Sequence, residues 1–220
     1  MTRTRALVVL SGGMDSVTAL AWAAQAYSEV HALTANYGQR HSREIDAALF
    51  QAGRYAQRWD LVDLTPIGKL LTGSALTDDV EVPRGHYAEP TMKATVVPNR
   101  NAILANVAAG VAVARDLEVI VMGVHAGDHA IYPDCRPEFI DGLASMLAIA
   151  NYSPIGVDAP FLHLDKLGIL RIGHALGVDY SQTWTCYVGG EKACGTCGSC
   201  SERLEAFDML GRPDPLEYES

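Results

Sequence analysis

Apolar positions along the chain follow two alternating rhythms. Short β-branched runs predict buried strands over residues 6–10 (ALVVL), 30–35 and 59–64. Between them, 16–26 (SVTALAWAAQA) and 42–57, with Ile45, Ala48 and Leu49 on one face, carry the period of helices. Strand, helix, strand, helix, strand in this order predicts an α/β fold with a doubly wound parallel sheet. From 65 to 99 the periodicity is lost while Pro66, Pro83, Pro90 and Pro98 punctuate the chain, so a long surface loop with at most a short helical turn is expected. The pattern resumes with a helix over 101–115, a strand over 118–124 (EVIVMGV), the polar loop HAGDHAIYPDCRP, and helices over 138–150 and 165–176. A cysteine-rich tail follows from Cys186, with a short helix near 202–210.

The 220 residues suit one enlarged domain or a domain with a small appendage. Composition agrees with a packed core: 49% hydrophobic and 20% charged residues, with 20 Gly and 10 Pro spread along the chain, exclude disorder, a coiled coil and a collagen-like repeat. Seventeen Lys plus Arg against 26 Asp plus Glu give a net charge of -9, the wrong sign for a surface that holds nucleic acid by counterion release. A nucleotide ligand should therefore be small and locally cradled. The apolar run in MTRTRALVVLSGG is too short for a signal peptide, and no stretch approaches the ~18 apolar residues of a membrane span, so a cytoplasmic protein is expected.

Three blocks carry candidate chemistry. The first is Ser11-Gly12-Gly13-Met14-Asp15-Ser16, after Leu10, at the junction of the first strand and first helix. There, free backbone N–H groups and the helix dipole favour an anion, and two glycines let the backbone approach a phosphate. It is neither GxGxxG nor GxxxxGK[ST], which argues against dinucleotide and Walker-type sites. The plainer reading is a Gly-Gly turn in which Asp15 or Ser16 caps the helix.

The second is C-x7-C-x2-C-x2-C at Cys186, Cys194, Cys197 and Cys200, where four thiolates at short spacing match a closed tetrahedral, structural zinc site. An iron–sulfur cluster and a redox CxxC pair are the other chemistries open to these thiols. The third is the loop 125–136, which gathers His125, Asp128, His129, Tyr132, Asp134 and Arg136 at a strand's carboxyl end and predicts a polar recognition pocket. His125 and His129 stand at i, i+4, but the run is not HExxH and Gly127 argues against a helix. Cys135 is read either as a packing thiol or as a reactive one beside Arg136.

SGGMDS resembles the PP-loop, SGGxDS, of adenylating ATP pyrophosphatases. NYGQRH (36–41), VPNRN (97–101), YPDCRPEF (132–139) and TCYVGG with CGTCGSC then resemble, in the same order and over about 9–203, the 7-cyano-7-deazaguanine synthases. The resemblance implies a PP-loop α/β fold with a C-terminal zinc-binding lobe, divided as 1–180 for ATP and 181–220 for the four-cysteine tail. It implies a ligase of queuosine biosynthesis that takes 7-carboxy-7-deazaguanine, ammonia and ATP to 7-cyano-7-deazaguanine through adenylated carboxylate and amide, releasing AMP and pyrophosphate. Zn2+ and Mg2+ are the implied ions and a homodimer the implied assembly.

By position, Leu10, Ser11, Gly12, Gly13, Met14, Asp15 and Ser16 would hold ATP and magnesium. Tyr37, Arg40, Arg100, Asn101, Asp128, Tyr132, Asp134 and Arg136 would bind the deazaguanine, and Asp15, Lys166, Asp134 and Arg136 would be catalytic. Lys166, after PFLHLD, is equally a solvated lysine opening a helix. The chain departs from the family's VPGRN at Asn99, carries Ala130-Ile131 where a serine-glycine pair is usual, and has His125 and His129 in the same loop. Those departures keep open a relative that couples a deazaguanine to a partner protein's N-terminus or stops at the amide; a reading from a different class is a non-catalytic zinc-bearing nucleotide-binding module. A PP-loop tRNA-modifying enzyme fits less well, because no broad basic face is available.

Overall fold

The structure, a computed structural model, describes residues 4–40 and 43–219; His41 of NYGQRH and the predicted helix start at Ser42 lie outside the described residues. The elements in chain order are β1 (Arg5–Val9), α1 (Met14–Ala26), β2 (Glu29–Asn36), α2 (Arg43–Tyr55), β3 (Arg58–Asp63), α3 (Thr65–Gly68), α4 (Arg100–Ala114), β4 (Val119–Val121), α5 (Pro137–Ile149), β5 (Gly156–Asp158), α6 (Lys166–Ala175) and α7 (Gly198–Leu210). The five strands form one parallel sheet in the order β3-β2-β1-β4-β5, with Val8 opposite Ala32 on one side and Val121 on the other.

Alternation along β1 divides the core. Ala6 and Val8 pack into a cluster with α1, Ala48 and Ala52 of α2, Ile169 and Leu170 of α6, and Phe207 of α7. Leu7 points the other way, into a cluster with Ala105, Ala108 and Ala112 of α4 and Ile140, Leu143 and Leu147 of α5. A sheet covered on both faces is what near-continuous apolar strands require.

Three departures from the sequence pattern have physical causes. The run 118–124 pairs only to Val121 as a strand, because Gly123 lies against the start of α1, where a Cβ would come within 3.1 Å of the Asp15 carbonyl. β5 is three residues long and too short to show a period. The stretch 65–99 is not a surface loop. Tyr87 and Met92 are buried in the cluster beneath α4, Ala75 and Val82 pack with Trp184 and the cysteines, and Gly85 N–H donates to Thr196 O at 3.1 Å. Besides α3 it carries a 3-10 turn, Pro90–Thr95. Isolated buried residues between polar ones give no periodic signal, so the segment's role as a strap across the molecule was invisible in the sequence.

Candidate active site

In the order β3-β2-β1-β4-β5 the chain leaves β1 toward one edge and β4 toward the other, so a crevice opens beyond the carboxyl ends of these two neighbours. Residues 10–16 bridge β1 and α1 at that crevice. Ser11 and Gly12 N–H groups donate to Ser16 Oγ at 3.1 and 3.3 Å, and Gly13 N–H donates to Ser11 Oγ at 3.2 Å. The N–H groups thus converge on the Ser11 and Ser16 hydroxyls, and these two serines line the cleft with Gly13, a polar lining that suits phosphate oxygens. α1 begins after Gly13 with no side-chain cap, which leaves its first-turn N–H groups for a ligand. Gly12 is required twice over: its φ is +95°, and a Cβ would sit 2.1 Å from the Glu44 carbonyl oxygen.

A charged cluster lies against this loop. Lys166 Nζ is 2.7 Å from Asp15 Oδ2 and 2.9 Å from Glu202 Oε2, so it is a buried, doubly paired cation rather than a solvated one. Burial works against both charges of the first pair. The attraction prevails, holding Asp15 below the usual carboxylate range and Lys166 above the usual lysine range. His125 is fully buried; its Nδ1 accepts the Gly127 N–H, and its Nε2 lies 3.0 Å from Lys166 Nζ, 3.4 Å from Asp128 Oδ2 and 3.7 Å from Asp15 Oδ2. Asp15 Oδ1 is buried without a hydrogen-bond partner, a lone pair oriented for a cation.

The rest of the cleft is aromatic and cationic. Tyr37, Arg100, Asn101, Asp128, Tyr132 and Tyr187 line it together with the PP-loop residues Leu10, Ser11, Gly13, Asp15 and Ser16. Asp128 accepts from Tyr87 OH at 2.6 Å, and Tyr132 OH lies 2.6 Å from Thr95 Oγ1, so residues of the strap fix the pocket side chains. Glu44 faces the same space, and burial pushes its carboxyl up to about 8 although Arg100 opposes the shift. Burial likewise pushes the Cys135 thiol well above its usual value, with Asp128 and Asp134 adding to the effect, so this cysteine is an inert packing group.

Not every residue singled out in the sequence reaches the cleft. Met14 is buried beneath the loop. Arg40 pairs with Asp79 at 3.1 Å on the surface, and Arg136 is exposed with its Nε donating to His129 O. Asp134 accepts the Asn101 N–H at 3.0 Å and so caps α4. Asn99 precedes α4 at φ 58°, the left-handed conformation that glycine and asparagine tolerate, which accounts for asparagine in place of the usual glycine. Conversely, the structure brings in Glu44, Thr185, Tyr187, Ser199 and Glu202, which sequence reading passed over. Thr185 and Tyr187, inside TCYVGG, and Ser199, inside CGTCGSC, stood in motifs that could have signalled them.

Four of these late additions come from the segment around the cysteines. The Sγ atoms of Cys186, Cys194, Cys197 and Cys200 all lie within 4.8 Å of one another, and none is in a disulfide. With metal–sulfur bonds of about 2.3 Å a tetrahedron has sulfur–sulfur edges of about 3.8 Å, so slight contraction makes a metal site. Backbone N–H groups of Cys194, Thr196 and Cys197 donate to the Cys186 and Cys194 sulfurs, as thiolates require. Among the described residues this is the one group of three or more ligating side chains placed to hold a metal; His125 and His129 form none.

The doubly wound parallel sheet, with a PP-loop at its switch point and a four-cysteine metal site beside it, defines a nucleotide-binding α/β protein of the ATP pyrophosphatase type. A family model described as queuosine biosynthesis protein QueC matches residues 5–211. Curated relatives are similar over nearly the whole chain. The 7-cyano-7-deazaguanine synthase of Hahella chejuensis is 55% identical over 216 residues, covering 98% of this chain and 94% of the relative. That of Pseudoalteromonas atlantica is 52% identical over 215 residues (98% and 99%), and that of Marinobacter nauticus 54% over 213 (97% and 96%). The chain belongs to the QueC family. Among the described residues, no helix is long and apolar enough to cross a membrane.

Proposed function

We propose that this protein is an ATP-dependent ligase that converts 7-carboxy-7-deazaguanine and ammonia to 7-cyano-7-deazaguanine. The observation that carries the reading is the meeting, in one cleft, of the Ser11 and Ser16 hydroxyls and the uncapped start of α1 with the Lys166–Asp15 pair and of an aromatic pocket containing Arg100. The substrate carboxylate oxygen attacks the α-phosphorus of ATP and displaces pyrophosphate; ammonia then displaces AMP to give the amide. The amide oxygen is adenylated in turn, and loss of AMP and protons leaves the nitrile. Neither oxygen could leave readily in water without this activation.

In this reading Ser11, Gly12, Gly13 and Ser16 bind the pyrophosphate end of ATP, and Lys166 neutralises charge on the leaving group. Arg100 pairs with the substrate carboxylate, Tyr37, Tyr132 and Tyr187 enclose the deazaguanine ring, and Asp128 accepts from its guanine-type N–H edge. Asp15, through its unpartnered Oδ1, is the residue that would hold Mg2+, which supplies charge neutralisation at the phosphates. Zn2+ is the ion the four thiolates fit, in a closed site that orders the C-terminal lobe. Residues 1–180 then form the ATP-binding unit and 181–220 the metal-binding lobe. Arg40, Asp134 and Arg136 act in this scheme from outside the cleft, Asp134 by fixing α4 and with it Arg100.

The names of the relatives favour the complete reaction over coupling to a partner protein or a non-catalytic role. A cytoplasmic homodimer completes the proposal, its assembly checked by light scattering. Incubation with 7-carboxy-7-deazaguanine, ATP, Mg2+ and ammonia should yield AMP, pyrophosphate and the nitrile. Absence of both AMP and nitrile would sink the proposal, and amide without nitrile would restrict it to the first half.

A further inference from the structure

Lys166 is held by two carboxylates that come from different parts of the chain. Asp15 belongs to the PP-loop helix, whereas Glu202 belongs to α7, two residues after Cys200. The Glu202 side chain is only 13% exposed. It also lies against the loop carrying His125 and Asp128: a Cβ on Gly127 would come within 2.8 Å of Glu202 Oε1. A buried carboxylate is costly to desolvate, and an apolar side chain would dock α7 at less expense. Its specific partner is therefore the more informative observation.

We propose that Glu202 is a positioning residue of the adenylation site that acts through Lys166, so that the four-cysteine lobe sets the place of the phosphate-side lysine. The inference rests on the adenylation reading above. Charge explains the need for a second carboxylate. With Asp15 as its only carboxylate partner beside His125 Nε2 at 3.0 Å, the ammonium would neutralise the carboxylate that is to receive a cation. With Glu202 sharing the ammonium, one negative charge remains over the trio, and Asp15 Oδ1 stays unpaired. The contact also ties the ammonium to α7. It makes order in the cysteine lobe a condition of the geometry at the ATP site.

The test compares wild type with Glu202→Gln, Glu202→Asp, Lys166→Met and the Glu202→Gln/Lys166→Met double variant. Readouts are bound metal per chain, Tm, MgATP affinity by calorimetry with its Mg2+ dependence, and AMP release in the full reaction. Glu202→Gln should keep its metal, need more Mg2+ for half-maximal ATP binding, and lose about tenfold or more in kcat/KM for ATP, because a misplacement of about 1 Å is enough for such a loss. Glu202→Asp should recover part of this, and adding Glu202→Gln to Lys166→Met should cost less than about twofold more.

The proposal is overturned if Glu202→Gln stays within about twofold of wild type, if its loss is as large on the Lys166→Met background, or if the loss tracks metal release. Should Glu202→Gln not fold, Glu202→Asp and the double variant, which removes both members of the Lys166–Glu202 pair, carry the same comparison. If wild type releases no AMP, the functional reading fails, and the MgATP affinities alone decide the role of Glu202.

Discussion

Lys166 Nζ stands 2.7 Å from Asp15 Oδ2, joining the first turn of α6 to the first turn of α1 across the open end of the sheet. The pair places the phosphate-side cation and the candidate magnesium carboxylate in contact before ATP arrives. Lys166→Met and Asp15→Asn should each lower kcat/KM for AMP formation by at least about 10²-fold, and the double variant should lose much less than the product of the two. Steady-state kinetics of AMP release checks both statements.

The cysteine site should hold about one zinc per chain, measured by elemental analysis of the purified protein. Cys197→Ser, or a strong chelator, should release the metal, lower Tm and abolish AMP release together. Thr185, Tyr187, Ser199 and Glu202 of the cleft wall all lie between or beside the ligands, so the wall cannot outlast the site. Full activity in metal-free protein would contradict this coupling.

Arg203 and Asp214 form a fully buried, two-pronged ion pair at 2.7 and 2.8 Å, and Arg203 also donates to Thr183 Oγ1, Thr185 Oγ1 and Tyr180 O. Arg203→Met should destabilise by about 3–5 kcal/mol, since it strands a buried carboxylate. Replacing both partners with apolar residues should recover part of that loss in chemical denaturation.

Backbone conformation separates two positions that look alike in sequence. Gly12→Ala should prevent ATP binding, because the new Cβ would overlap the Glu44 carbonyl. Asn99→Gly should change stability by no more than about 0.5 kcal/mol, whereas Asn99→Val at φ 58° should cost about 1–2 kcal/mol. Thermal melts of the two Asn99 variants suffice to tell.

Glu44, with its carboxyl raised to about 8, is neutral at pH 7 and becomes charged as the pH rises through that value. Because folding favours its protonated form, the associated stabilisation is complete below the ordinary carboxylate range and is lost as pH rises through about 8. A further negative charge in the cleft should weaken ATP binding several-fold between pH 7 and pH 9. Glu44→Gln should flatten that profile in calorimetric titrations.

The sequence by itself determined the local and periodic features. Alternation of β-branched runs with helical periods specified β1 to β3, α1 and α2, because neighbouring residues decide those conformations. The spacing of SGGMDS between a strand and a helix, and of four cysteines within fifteen positions, marked the anion loop and the metal site, whose groups are brought together by a few turns of chain. Tertiary structure decided what depends on distant segments meeting. β5 gains its identity only from pairing with β4, and the strap over 65–99 is ordered by buried residues that show no period. Asp134 and Arg136, adjacent to pocket residues in sequence, turn to cap α4 and to reach His129 O, while Glu202 arrives from the far end of the chain to share Lys166. Such a contact spans 151 residues between Asp15 and Lys166, and is settled by how helices pack on the sheet rather than by any neighbour in the chain.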